Sequence, residues 1–151
     1  MADYYGKTRT NYFSVTNEEK FKQIINSCGA ENGGIIIADQ KQNDGSVKYC
    51  FYCDGSIYGL PDRNETDEYC EDDDAYIEYD YDAFCATLQE IISDGDAIII
   101  THIGSEKMRY LIGGCSIITR NDYEYVDLTN EALKLAKNLL NNPDFTTQME
   151  Y

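Results

Sequence analysis

Short apolar runs alternate with turn signals along this chain, and the spacing of the apolar positions switches between a period of two and a period near 3.6. "RTNYFSV" (9–15), rich in Tyr, Phe, Thr and Val, predicts a first strand. "TNEEKFKQIINSCG" (16–29) predicts a helix: Thr16 or Asn17 caps it, Glu18 and Glu19 suit its N-terminal dipole, and Phe21, Ile24, Ile25 and Cys28 share one face. Gly29 is its stop signal. "GGIIIAD" (33–39) predicts a buried strand, "QNDGS" a turn, and "VKYCFYC" (47–53) its antiparallel partner. A further turn and short strand follow in "DGSIYG" (54–59). "YDAFCATLQEIISDG" (81–95) predicts a second helix with Phe84, Leu88, Ile91 and Ile92 on one face. "DAIIITHIG" (96–104) and "KMRYLIGGCSIITR" (107–120) form a long hairpin around "GSE", and Gly113 and Gly114 mid-strand mark a bulge or a close backbone approach. "YEYVDL" (123–128) predicts a last strand and "TNEALKLAKNLLNN" (129–142) a third helix with Leu133, Ala136, Leu139 and Leu140 inward.

The order is β-α-β-β-β, an acidic segment, then α-β-β-β-α. Hairpin-length links between strands predict a mainly antiparallel sheet with about three helices packed on it, an α+β class. A chain of 151 residues makes one domain with a real core. The expected domain covers 1–142, including the acidic segment 61–82, and 143–151 is a loose C-terminal tail. No repeat with a period of 20 to 50 residues is present. "MADYYGKTRTNYF" lacks the apolar region of a signal peptide, and every apolar run falls short of the ~20 residues that span a bilayer. These features predict a cytoplasmic protein with no membrane association.

Charge changes the picture more than composition does. Apolar content of 42% and charged content of 26% are globular values, but the net charge is -16. Such a field opposes direct binding to nucleic acid or anionic lipid and favours a basic partner. Residues 62–82 hold 11 of the 28 acids: Asp62, Glu65, Asp67, Glu68, Glu71, Asp72, Asp73, Asp74, Glu78, Asp80 and Asp82. Arg63 alone opposes them. Tyr79 and Tyr81 interleave with the last three acids. In an extended chain Glu78, Asp80 and Asp82 line one face at ~6.6–6.8 Å, twice the strand rise, with both tyrosines turned inward. That spacing is comparable with successive phosphates of a nucleic-acid strand. The plain alternative is a solvated acidic loop.

Other candidate chemistry is sparse. The six cysteines are Cys28, Cys50, Cys53, Cys70, Cys85 and Cys115, and without an oxidising compartment they read as free thiols. Cys50-x-x-Cys53 is the only close pair; residues i and i+3 of a strand face opposite ways, so a shared metal needs a tight turn at Asp54–Gly55. His102, the only histidine, sits in an apolar strand with no nucleophile motif around it. "GAENGG" (29–34) follows a helix and precedes a strand, the wrong order for a dinucleotide turn. "EDDDAYIEYDYD" lacks the glycine and the 1-3-5 pattern of a calcium loop. No catalytic residue, metal or cofactor is therefore expected. The second-ranked reading is a small cytosolic enzyme or metal- or ligand-binding domain that uses Cys50, Cys53 or His102.

"RTNYFSVTNEEKF" (9–21) and "GSEKMRYLIGG" (104–114) resemble segments of small acidic proteins encoded by phages, plasmids and integrated elements of bacteria. In that group an R-T-N-Y-F-x-V start precedes a helix, and a G-x-E-K-x-R-Y-x-x-G stretch lies near the C-terminal end. The likeness covers about the first twenty residues and roughly 85–140, not the acidic middle. It implies a mobile-element origin, and by analogy an inhibitor of host defence of the anti-restriction or anti-CRISPR kind that mimics nucleic acid. Its partner is then a basic nucleic-acid-binding protein in the bacterial host cell, contacted through the acids above with Tyr79 and Tyr81. Lys107 and Arg109, next to Glu106, carry the E-K-x-R-Y part and are candidates for salt bridges that tie the hairpin to the acidic segment; the plain alternative is ordinary surface charge on a hairpin.

Overall fold

A computed structural model describes residues 4–62, 78–106 and 110–147. The chain is a single α+β domain. Its elements run β1 (Tyr4–Thr10), α1 (Glu18–Ser27), β2 (Gly29–Ala30), β3 (Ile36–Lys41), β4 (Val47–Asp54), β5 (Ile57–Pro61), β6 (Tyr79–Asp80), α2 (Tyr81–Ile91), β7 (Ile98–Glu106), β8 (Tyr110–Ile118), β9 (Tyr123–Asp127) and α3 (Leu128–Leu140). Six strands form one sheet in the order β3-β4-β1-β7-β8-β9, every neighbouring pair antiparallel. A small second sheet runs β2-β5-β6.

One face of the large sheet carries the core. Phe13, Phe21, Phe51, Phe84, Leu88, Ile92, Ile98 and Ile118 are wholly buried there, and the rings of Phe13 and Phe21 meet edge-on at 5.5 Å. α1 contributes Phe21, Ile24 and Ile25; α2 contributes Phe84, Cys85, Leu88 and Ile91. These are the faces that the helical spacing predicts. Asn17 caps α1 by accepting from the Lys20 amide at 3.1 Å.

Several elements depart from expectation, each for a physical reason. The first strand is Tyr4–Thr10 rather than 9–15; beyond it, Phe13 and Val15 make only isolated bridges, to Tyr49 and Ile92. Its inward positions are Tyr4, Gly6, Thr8 and Thr10, which carry no apolar alternation to detect. The strand expected to be buried at 33–39 is an edge strand, Ile36–Lys41: Ile36 faces solvent, Ile37 pairs with Phe51, and Asp39, Gln40 and Lys41 blunt the edge. Gly33 and Gly34 instead belong to a turn, with φ of 98° and 99°. No bulge interrupts β7 and β8, whose register is continuous from Ile98↔Ile118 to Glu106↔Tyr110. Gly113 and Gly114 are close-approach positions, Gly113 beneath the Leu128 side chain and Gly114 beneath the Tyr125 hydroxyl. The C-terminal helix also differs: Leu139 and Leu140, expected inward, are exposed, and α3 buries no residue fully. It lies over β8 and β9, with Leu128 on Gly113, on the sheet face opposite the core.

Candidate partner-binding segment and the histidine cleft

The two ends of the acidic segment are held at one place. Its outgoing arm is β5 and its returning arm β6, paired antiparallel through Leu60↔Asp80 and Pro61↔Tyr79. One step further out, the Asp62 amide donates to the Glu78 carbonyl at 2.7 Å. Asp62 and Glu78 are thus brought side by side. Glu65, Asp67, Glu68, Glu71, Asp72, Asp73 and Asp74 lie outside the described residues, as do Lys107 and Arg109 of the hairpin tip.

The ladder expected at 78–82 is not an extended row. Extension ends at Asp80, because the Asp80 carboxylate accepts from the Ala83 amide at 2.9 Å and caps α2. Asp82 then falls in the first turn of that helix, where the N-terminal dipole favours a negative charge. Period-two alternation in "EYDYD" therefore spans a strand-to-helix junction. The tyrosines part company there. Tyr81 turns inward, its hydroxyl 2.8 Å from Ser116 Oγ, and burial drives its pKa far above the ordinary tyrosine value. Tyr79 stays 39% exposed, with its ring 5.5 Å from that of Tyr58 and lying against Gly29.

The sequence stays one-signed well beyond the segment. Residues 78–106 contain Glu78, Asp80, Asp82, Glu90, Asp94, Asp96 and Glu106 and no Lys or Arg. Several of these acids serve the fold: Glu90 pairs with Lys20 at 2.9 Å, Asp94 with Arg120 at 3.5 Å, and Asp96 accepts from the Ser14 amide at 2.8 Å. Among the described residues, Glu78 and Asp82 take part in no salt bridge.

His102 lies at the edge of a cleft of about 230 Å³ lined by Thr8, Ile57, Tyr81, Ser116 and Tyr125 among others. Its hydrogen bonds fix its tautomer. Thr8 Oγ1 donates to the Gly55 carbonyl at 2.8 Å, so the same oxygen accepts from His102 Nδ1 at 3.0 Å. Nε2 is then the acceptor and receives the Tyr4 hydroxyl at 2.7 Å. Burial lowers the histidine pKa and favours this neutral ring. Gly6 and Gly104, opposite one another on β1 and β7, make the flat floor on which the Tyr4 ring lies; a Cβ at Gly6 would sit 2.7 Å from that ring. Both ring nitrogens are thus committed to structural partners. Sequence spacing gave no signal for this trio, because Tyr4, Thr8 and His102 meet only through the β1–β7 register.

Cys50 and Cys53 remain on opposite faces, because β4 runs straight through to Asp54 and Cys50 pairs with Ala38 while Cys53 pairs with Thr8. The turn that a shared metal requires begins too late. Among the described residues no group of three or more His, Cys, Asp or Glu side chains is arranged to hold a metal ion. The five described cysteines are free thiols, and burial pushes Cys28 up to about 12 and Cys85 up to about 11. No described helix is long and apolar enough to cross a membrane. Comparison with protein-family models, curated proteins and solved structures finds no match for this chain.

Proposed function

We propose that the protein is a non-enzymatic inhibitor of a bacterial defence system whose acidic segment occupies the basic nucleic-acid groove of a CRISPR effector or restriction complex. One observation carries the reading: 11 of 28 acids fall within residues 62–82, nine of them on the stretch 62–78 whose ends are hydrogen-bonded together at Asp62 and Glu78. Confining like charges to one short stretch of chain costs self-repulsion, and a groove lined by Lys and Arg relieves it. The capped N-terminus of α2 adds Asp80 and Asp82 beside the same root. Because α2 starts at Tyr81, mimicry here rests on charge density rather than on a rigid phosphate-like spacing of Glu78, Asp80 and Asp82. The partner is a basic nucleic-acid-binding protein in the host cytoplasm.

The test is competition. At saturating concentration the protein should displace DNA or RNA from its partner, and complex formation should weaken as salt shortens the Debye length from ~10 Å at 0.1 M toward ~3 Å at 1 M. Replacing Asp72, Asp73 and Asp74 with Asn, together with Glu78→Gln and Asp82→Asn, removes five charges and should slow association at least tenfold with the fold intact. If inhibition survives all five substitutions unchanged, the acidic run is only a solvated face and the reading fails.

A further inference from the structure

We infer that α3 is a self-association surface through which two copies of this chain pair antiparallel. The inference is independent of the partner proposed for the acidic segment. α3 leaves Leu128, Leu135 and Leu139 exposed by 65%, 61% and 88%. With Ala132, also exposed, they form a single stripe, because positions 128, 132, 135 and 139 recur at helical spacing. The half-buried Leu133 and Ala136 lie on another side of the helix, so the stripe from Ala132 to Leu139 is not the face that rests on the sheet; Leu128, at its N-terminal end, touches Gly113 along one edge and leaves most of its surface free. An apolar row of this kind on an otherwise highly charged chain marks an interaction surface.

Two features select a second copy as the occupant. First, the spacing along the stripe is four, three, four and reads the same in both directions. An antiparallel two-fold axis therefore sets Leu128 against Leu139 of the other copy and Ala132 against Leu135, large beside small, over about 16 Å of helix. Second, α3 carries only Glu131 against Lys134 and Lys137, in a chain of net charge -16. Two copies meet here with little repulsion, whereas contact on the side of the acidic root would set like charges together. Leu111, Ile103 and Tyr5 are further exposed apolar side chains on the same sheet face as Gly113. The helix stripe alone is smaller than a standard interface, so the dimer is weak and reversible.

Sedimentation velocity on the full chain from about 5 to about 500 μM, the range an interface below standard size implies, tests this directly. The expected result is a concentration-dependent shift from monomer to dimer. It should strengthen as salt rises, because salt screens the net repulsion and leaves the leucine contact intact. Leu139→Glu, and separately Leu135→Glu, should raise the dimer dissociation constant at least tenfold with an unchanged circular dichroism spectrum. The high exposure of Leu139 keeps the first variant informative even if the second folds poorly. Mixing Leu128→Cys with Leu139→Cys chains under mild oxidation should give mixed disulfide dimers in preference to like pairs. A chain that stays monomeric to the highest concentration and salt overturns the inference. So does a dimer that ignores both glutamate substitutions, one that dissociates as salt rises, or a preference for like pairs.

Discussion

α2 and α3 begin alike and end in different circumstances. Each is capped by an aspartate, Asp80 accepting from Ala83 and Asp127 from Asn130, both at 2.9 Å. Each carries its apolar residues at helical spacing. α2 buries Phe84, Cys85, Leu88 and Ile91 between the sheet and α1, whereas α3 buries nothing fully. The difference lies in what stands opposite. α2 faces the aromatic core, with the Phe84 ring 6.1 Å from that of Phe51. α3 faces β8 and β9, where Gly113 offers no side chain to interlock with. Periodicity therefore identifies an apolar face without saying that the same chain covers it.

The largest expected contrast is in truncation. Leu88→Ala should cost about 2–5 kcal/mol, since a wholly buried leucine leaves a cavity, while Leu139→Ala should stay within about 0.5 kcal/mol in the monomer. Urea unfolding of dilute protein measures both, and equal losses would erase the distinction between the helices. Caps give a smaller effect. Asp80→Ala and Asp127→Ala should each cost about 1 kcal/mol of helix stability. Hydrogen exchange should separate them: loss of Asp80 destabilises the whole domain, while loss of Asp127 frees amides of α3 alone. Asp80→Asn keeps a cap and removes a charge, so it should fold like the wild type and weaken only contact with a basic partner.

The smallest effect is in pH. Burial holds the His102 pKa below the ordinary value of about 6.5, so the unfolded chain takes up the proton first. The stabilisation from the neutral ring is fully present above about pH 6.5 and is lost as pH falls toward the folded value. Between about pH 7.5 and about pH 5.5, the unfolding midpoint of the wild type should fall relative to that of His102→Gln. Parallel behaviour of the two proteins would mean that the Tyr4–His102–Thr8 trio contributes nothing to this dependence.

Legibility from sequence followed how local each signal was. The faces of α1 and α2 were readable because Phe21, Ile24 and Ile25, and Phe84, Leu88 and Ile91, obey a spacing that the core then uses. The β7–β8 hairpin was readable from its apolar strands. β1 was misplaced because Gly6, Thr8 and Thr10 turn small or polar groups inward, which only the facing strands make sense of. The acidic segment stood out by composition. Its geometry did not, because one aspartate, Asp80, chooses between continuing a strand and opening a helix, and the amide of Ala83 settles the choice.

The Asp62–Glu78 hydrogen bond has an architectural consequence. The described strands are already paired up to this point, so the scaffold is closed by Asp62 and Glu78 themselves. A two-residue Asn-Gly turn joins antiparallel strands and should be able to stand in place of residues 63–77. Lengthening costs little, since each doubling of a flexible loop adds only about 0.6 kcal/mol of closure entropy. A chain with a different sequence spliced between Asp62 and Glu78 should therefore keep the circular dichroism spectrum of the original, since the pairing of Leu60 with Asp80 and of Pro61 with Tyr79 holds the two ends together.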